Sequence, residues 1–362
     1  MNNIQPFNGL QTISSKTDLG IVTTLTAKIG ISERGSIAFG DKTLLANYVY
    51  DRGEDYKLVY TVIDVDGNAE SFAENEGILP TLFLSPGGEN YVSVIPYHPT
   101  KELEISIPVF NRGTIELPKA NKPFLGDYIG ISNQYSILFY ADIWSEKQPD
   151  KMEAIEFKDG MIIKKQTVKI PLPRNNKIFI ADNEIHLLTT VENGWLHRQI
   201  DELGNIKNER QITSSSEFFW QILSLSFEEE SYILCEENGK ISVEIITVTG
   251  DCRNKELIDI GDEFFNTWPP EKIGEKTFVT RFNGEFGNGW LTTKNDELLE
   301  IFYNKDTKGY RNLITDEVLE LQSDLIISGL NKTADNAYAV VFYPMTDDRK
   351  KKKNLFVLNK AI

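Results

Sequence analysis

Two carboxylates beside an indole could grip or cleave a sugar, and Asp142, Trp144 and Glu146 place them within one short stretch. Glycosidic cleavage needs a second acid or nucleophile held at a set separation across the scissile bond. Nothing in the spacing supplies it, so catalysis does not follow from this stretch. Of the three histidines, His98 lies next to Tyr97 between Pro96 and Pro99, in a loop where it is accessible. His186 and His197 fall in adjacent strands and are expected to cover a sheet surface. No zinc-protease, nucleophile-elbow or Cys-x-x-Cys pattern occurs, and no motif calls for a metal or a cofactor.

Asp64-Val-Asp-Gly-Asn68 has the oxygen-rich look of a calcium loop but lacks the further carboxylates and the bidentate Glu. A tight Asp-Gly turn is the expected reading. Arg349, Lys350, Lys351, Lys352 and Lys353 form the one strong charge run, on a chain of 38 basic against 54 acidic residues and net charge −16. Such a run is a solvated loop tip or a docking patch for an acidic protein surface. The acidic remainder repels a nucleic-acid backbone or an anionic membrane. The sequon Asn331-Lys-Thr333 has meaning only in a secreted protein.

The elements that must position these residues repeat. Tyr60-Thr-Val-Ile-Asp-Val-Asp-Gly-Asn-Ala-Glu-Ser-Phe-Ala73 reads as two strands around a turn whose Gly takes positive φ without steric cost. Similar turns carry Gly113, Gly160, Gly204, Gly250 and Gly309, spaced 44–47 residues apart up to Gly250 and 59 at the last step. A second hairpin precedes each, as in Leu82–Val94 and Leu223–Cys235. Four antiparallel strands in roughly 40–50 residues is the size of a β-propeller blade.

The predicted fold is therefore all-β: a seven-bladed β-propeller with four antiparallel strands per blade. The last blade runs out of chain after its third strand. The β-branched run Ile21–Lys28 is expected to complete it and to close the ring with an N-terminal strand. Residues 1–20 read as a polar tail or clasp, and residues 21–362 as one domain. The blades show neither the Trp-Asp and Gly-His pairs of WD40 repeats nor the double glycine of kelch repeats, since Gly87-Gly88 is isolated.

In an up-down blade the links between strands 2 and 3 share a face with the links between blades. The long ones are 96–101, 144–151, 283–297, 344–353 and 261–267. They put Trp144, Trp268, Phe286 and Trp290 on that face with Tyr97, where aromatics could stack on a sugar, anchor a protein, or plug gaps between blades. The expected function is a non-catalytic scaffold that binds a protein partner through this face. The alternative is a carbohydrate-active or small-ligand propeller with its site at the channel mouth, and a glycan partner belongs to that alternative. A structural subunit contacting others by its side is a third reading. Met1–Phe7 lacks a basic and apolar leader pattern, and no apolar run nears the ~18 residues of a membrane span, so a soluble, cytoplasmic protein is expected.

Overall fold

The computed structural model describes residues 5–50, 56–74, 80–84, 92–96, 104–106, 114–116, 123–132, 135–142, 152–158, 161–168, 176–181, 184–201, 205–214, 221–237, 239–261, 264–267, 270–305, 309–321, 325–344 and 353–362. Among them the regular structure is all β-strand in antiparallel sheets. Among the described residues no helix is long and apolar enough to cross a membrane.

The chain divides into two compact units, one of Met1–Leu84, Gly88–Tyr97 and Phe264–Ile362, the other of Ser85–Gly87 and His98–Glu263. The first unit holds three sheets and the hairpin of Pro80–Leu84 with Val92–Pro96. Sheet A is Gly30–Phe39, Lys42–Tyr50, Tyr56–Ile63 and Ala69–Glu74, edged by Gln5–Pro6. Sheet E runs from Phe264–Thr267 to Val318–Glu320. Sheet F is Leu325–Ala334, Ala337–Pro344 and Asn354–Ala361, continued by Gly20–Ala27 and Leu10–Thr17. The second unit holds sheet B (123–168), sheet C (176–213), sheet D (221–259) and the hairpin of Glu104–Ser106 with Thr114–Glu116.

Burial explains the strand sequences. Lys42–Tyr50 and Ala337–Pro344 are covered on both faces, which is why they read as near-continuous apolar runs. Leu10–Thr17, Ile206–Thr213 and Cys252–Asp259 lie outermost and are largely exposed, so they tolerate Gln, Ser, Lys and Glu.

The repeated turn closes on its own side chains. The Asp64 carboxylate accepts from the backbone N–H of Asp66 (3.0 Å) and Asn68 (2.8 Å) and from the Asn68 amide (2.9 Å). Asp201 grips Asn205 in the same way, at 2.8 Å to both its backbone and its side-chain nitrogen. Thr247 N donates to Asp251 O at 2.9 Å in the third copy. The Asp64 oxygens are thus engaged by the turn itself. Burial works to raise its pKa, and the Asn68 and backbone hydrogen bonds outweigh it and hold the carboxyl below the ordinary value. The turns at Gly113 and Gly160 lie outside the described residues.

Gly20–Ala27 pairs antiparallel with Asn354–Ala361, from Ile21 opposite Asn359 to Thr26 opposite Asn354. Residues 10–17, expected as tail, add a fifth strand on the far side of it. This composite sheet receives the Asp64–Asn68 turn of sheet A. Ser14 Oγ and Thr23 Oγ1 donate to Gly67 O at 2.6 and 3.4 Å, and Asn359 Nδ2 donates to Asp64 O at 3.0 Å.

Sheet E corrects the expected long link at 283–297. Thr277–Gly284, Gly287–Lys294 and Glu297–Lys305 are consecutive paired strands. The extra length forms Gly309–Asn312 and Val318–Glu320 at the outer edge. The glycines mark close backbone approach rather than a loop. A Cβ on Gly287 would stand 2.0 Å from Asn304 O, and one on Gly289 2.1 Å from Phe302 O.

The φ of Gly67 is +83°, and a Cβ there would meet Thr23 Oγ1 at 2.7 Å and Ser14 Oγ at 2.8 Å. Gly261 has φ +62° and open space around it. Gly261→Ala should cost about 1–2 kcal/mol from backbone strain alone. Gly67→Ala should cost a further ~1–3 kcal/mol from overpacking. Urea midpoints that rank the two variants the other way would show that the turn does not dock as described.

Candidate functional site

Of the sequence-predicted binding residues, Tyr97, His98, Trp144, Glu146, Trp268, Arg349, Lys350, Lys351 and Lys352 lie outside the described residues. Asp142 ends the strand Tyr135–Asp142, opposite Pro123. Phe286 and Lys353 are exposed at strand ends, as expected of a face.

Trp290 is a correction: it is fully buried between sheets E and F. Its ring stacks on Phe302 with centroids 4.6 Å apart, and its Nε1 donates to the Tyr338 hydroxyl at 2.9 Å. Tyr338 in turn donates to Glu300 Oε1 in a short bond. Thr292 Oγ1 donates to the same oxygen at 3.0 Å, and Lys360 Nζ pairs with Glu300 Oε2 at 3.3 Å. A buried carboxylate is tolerable only with partners of this kind. Burial and the neighbouring Glu300 raise the Tyr338 hydroxyl well above its ordinary pKa, so it stays a donor.

The histidines are a second correction, because they are buried rather than spread over a sheet surface. His186 Nδ1 and His197 Nε2 are 2.9 Å apart, and Arg210 Nε donates to His197 Nδ1 at 3.2 Å. His197 therefore carries its proton on Nε2 and donates it to His186. Arg210 continues to Thr247 O (3.0 Å) and Ser226 O (2.6 Å), and Phe227 stacks on His197 with centroids 4.3 Å apart. Burial, then the charges of His186 and Arg210, push His197 down to about 2. It is a neutral structural ring. Cys252 is likewise held unreactive, pushed up to about 12 by burial and Glu244.

The exposed chemistry of the first unit gathers at one end of its sheets, where the links after Lys42–Tyr50, Thr277–Gly284 and Ala337–Pro344 leave. Phe286 caps the Gly284–Gly287 turn at 51% exposure, with Lys305 Nζ 5.1 Å from its ring centroid. A cation over an aromatic face is attracted to it, and here it keeps the ring presented. Deeper at the same end, Arg281 Nη1 donates to Ile327 O at 3.2 Å. Burial pulls the Arg281 pKa down to about 10, while Glu33 and Tyr343 act to raise it. Burial and Glu33 also raise Tyr343, against Arg281. Glu33, Arg281 and Tyr343 were not singled out from sequence. Their signal was a charge interrupting an apolar strand, as in Thr277-Phe-Val-Thr-Arg-Phe282.

No protein-family model and no curated protein matches the sequence. Among solved structures, the β-propeller domain of a trilobed protease from Pyrococcus furiosus, described as having an open velcro topology, is similar at 10% identity. That match has TM-score 0.51 and covers 92% of this chain and 97% of that one. A streptogramin B lyase is similar at 14% identity and TM-score 0.49, over 93% and 97% of the two chains. At this identity the first likeness carries the fold alone: antiparallel sheets of propeller type.

Two outcomes test the buried clusters. Tyr338→Phe strips the Trp290 N–H and Glu300 of a partner and should cost about 1–3 kcal/mol in denaturant unfolding, whereas a cost near zero would mean the network is not formed. His197 has a folded pKa below its unfolded value, so stability is lost as pH falls from about 6.5. Half-buried Glu271, pushed up to about 7 by desolvation, gains stability over the same range, so the comparison is made against His197→Gln. Between pH 6.5 and 5 the wild type should lose ~2 kcal/mol relative to that variant. Parallel pH profiles for the two proteins would contradict the assignment.

Proposed function

We propose that the chain is a closed, seven-bladed β-propeller that serves as a non-catalytic docking platform for another protein. Seven first hairpins and six second ones along the sequence support the blade count, and the pairing of Gly20–Ala27 with Asn354–Ala361 supports closure. The docking surface is the sheet end that carries Phe286, Lys305 and Lys353.

The observation that carries this reading is the exposed Phe286 ring held under Lys305, on a chain whose one basic run, Arg349–Lys353, opposes the charge of the rest of the sequence. An exposed aromatic at a rigid hairpin tip is an interface anchor, and a basic rim steers an acidic partner toward it. The groups that could have done acid–base work, His186, His197 and Glu300, are buried, the histidines against one another and Glu300 against Tyr338 of the neighbouring sheet. The acidic remainder argues against nucleic acid.

The test is affinity capture from native lysate with the wild type, with Phe286→Ala/Lys305→Glu, and with Lys350–Lys353 replaced by Gly-Ser. One stoichiometric protein should be captured by the wild type and lost from both variants, with thermal midpoints unchanged. A partner retained by both variants would remove this face from consideration.

A further inference from the structure

The edge of a sheet is a row of unpaired backbone donors and acceptors. Folded proteins guard such rows with bulges, charges, very short strands or a covering segment. The outer edges of five described sheets here use all four devices. Sheet E ends in the three-residue strand Val318–Glu320, and Ala69–Glu74 of sheet A is covered by Gln5–Pro6. The outermost strands of sheets B, C and D, Met161–Val168, Ile206–Thr213 and Cys252–Asp259, each pair through a register shift. Each also carries between two and four charged residues, from Lys164 and Lys165 in the first to Arg253, Lys255, Glu256 and Asp259 in the last.

Leu10–Thr17, the outermost strand of sheet F, has none of these guards. It is eight residues long and pairs with Gly20–Ala27 from end to end without a register shift. Lys16 is its one charge, on a chain of net charge −16. Every residue after Leu10 is exposed. Among the described residues its backbone is bonded on the Gly20–Ala27 side alone. Ile13 stands 57% exposed in the middle of a run of Gln, Thr and Ser. The strand is nonetheless fixed in its sheet, because Ser14 Oγ donates to Gly67 O at 2.6 Å and Leu10 packs on the apolar layer between sheets A and F. A partner strand would therefore meet an edge that is already ordered.

We infer that Leu10–Thr17 is the edge through which two copies of this chain associate, pairing antiparallel about a two-fold axis at Ile13. A two-fold contact sets one patch against itself, so the strand has to complement its own sequence. In this register Ile13 stands opposite Ile13 of the second copy, Gln11 opposite Ser15, and Thr12 opposite Ser14. Leu10 then faces Lys16, and no like charges are opposed. Directly opposed residues share a face with their Cβ atoms about 5 Å apart, so the two exposed isoleucines cover each other. A chain this acidic repels its own copies over most of its surface. The one long edge that is free of acidic residues is the place where a second copy meets least repulsion. These residues are not those of the Phe286 tip, and the inference does not depend on the docking reading.

Sedimentation equilibrium of the full chain over roughly 1–300 µM should show a reversible monomer–dimer equilibrium. Its Kd should be on the order of 10–100 µM, weak because one strand pair buries little area. Ile13→Glu and Ile13→Lys each oppose like charges across the axis and should weaken the dimer about tenfold or more. Their thermal midpoints should match the wild type, since the side chain is exposed. An equimolar mixture of the two variants should regain the dimer, because Glu then faces Lys. Ile206→Glu, at a similarly exposed isoleucine on the outermost strand of sheet C, should leave the equilibrium unchanged. The inference is overturned if the wild type stays monomeric throughout, if the Ile13 variants associate like the wild type, or if their mixture stays monomeric. Loss of the dimer in Ile206→Glu as well would put the contact on another surface, and that too overturns it.

Discussion

Sheet F is assembled from both ends of the described chain and is covered on both faces, so the first unit depends on one pairing, that of Gly20–Ala27 with Asn354–Ala361. The contact joins residues as far apart as Thr26 and Asn354, 328 positions in sequence. Closing a loop of that size costs roughly 5 kcal/mol of chain entropy. Val22, Leu25, Leu355 and Val357, all buried in or beside the joint, contribute about 1.5–3 kcal/mol each. Burial therefore wins, with enough margin to order the exposed Leu10–Thr17 strand beyond it. The Asp64–Asn68 turn of sheet A is then held by Ser14, Thr23 and Asn359 from three strands of that sheet.

With both faces of its middle strands covered, this architecture leaves little room for polar side chains that are not satisfied. The Trp290–Tyr338–Glu300–Lys360 chain and the His186–His197–Arg210 chain meet that demand by passing each donor to an acceptor inside the fold. Each is worth little net and is costly to break, because removing one member strands the next. These clusters tie neighbouring strands and sheets to one another. Asn47 and Asn283 are among several residues, Thr43, Thr280 and Thr293 with them, whose buried polar atoms find no partner among the described residues.

The turns and the pairing of Gly20–Ala27 with the last strand were legible in the sequence because their signals are local. Asp-x-x-Gly-Asn specifies a turn through its own side chains, and a β-branched run without a partner implies a sheet that lacks a strand. Leu10–Thr17 was not legible, since an outermost strand needs no apolar face. Gly287 and Gly289 read as a loop because a glycine permitting close approach and a glycine making a turn look alike in one sequence. Trp290 could have served a face or a gap, and only its neighbour in sheet F, Tyr338, decides between them. His186 and His197 lie on adjoining strands, but whether solvent or another sheet covers them is set by residues such as Phe227 from the next sheet. Long-range coverage is the quantity that periodicity does not contain.

The facing edges of sheets A and F meet closely at one level. Midway along these strands the Ser36 side chain lies against Gly329 so closely that a Cβ there would fall 1.6 Å from Ser36 Oγ, and Ser36 bonds the Asn331 amide at 3.0 Å. Two sheets pinned that tightly at one level and twisted, as sheets are, must diverge toward their ends. The bulges at Glu33–Gly35 and Ile327–Gly329 fall just above the pinned level and add to the local twist. Arg281 of a third sheet reaches Ile327 O beside the second of these bulges.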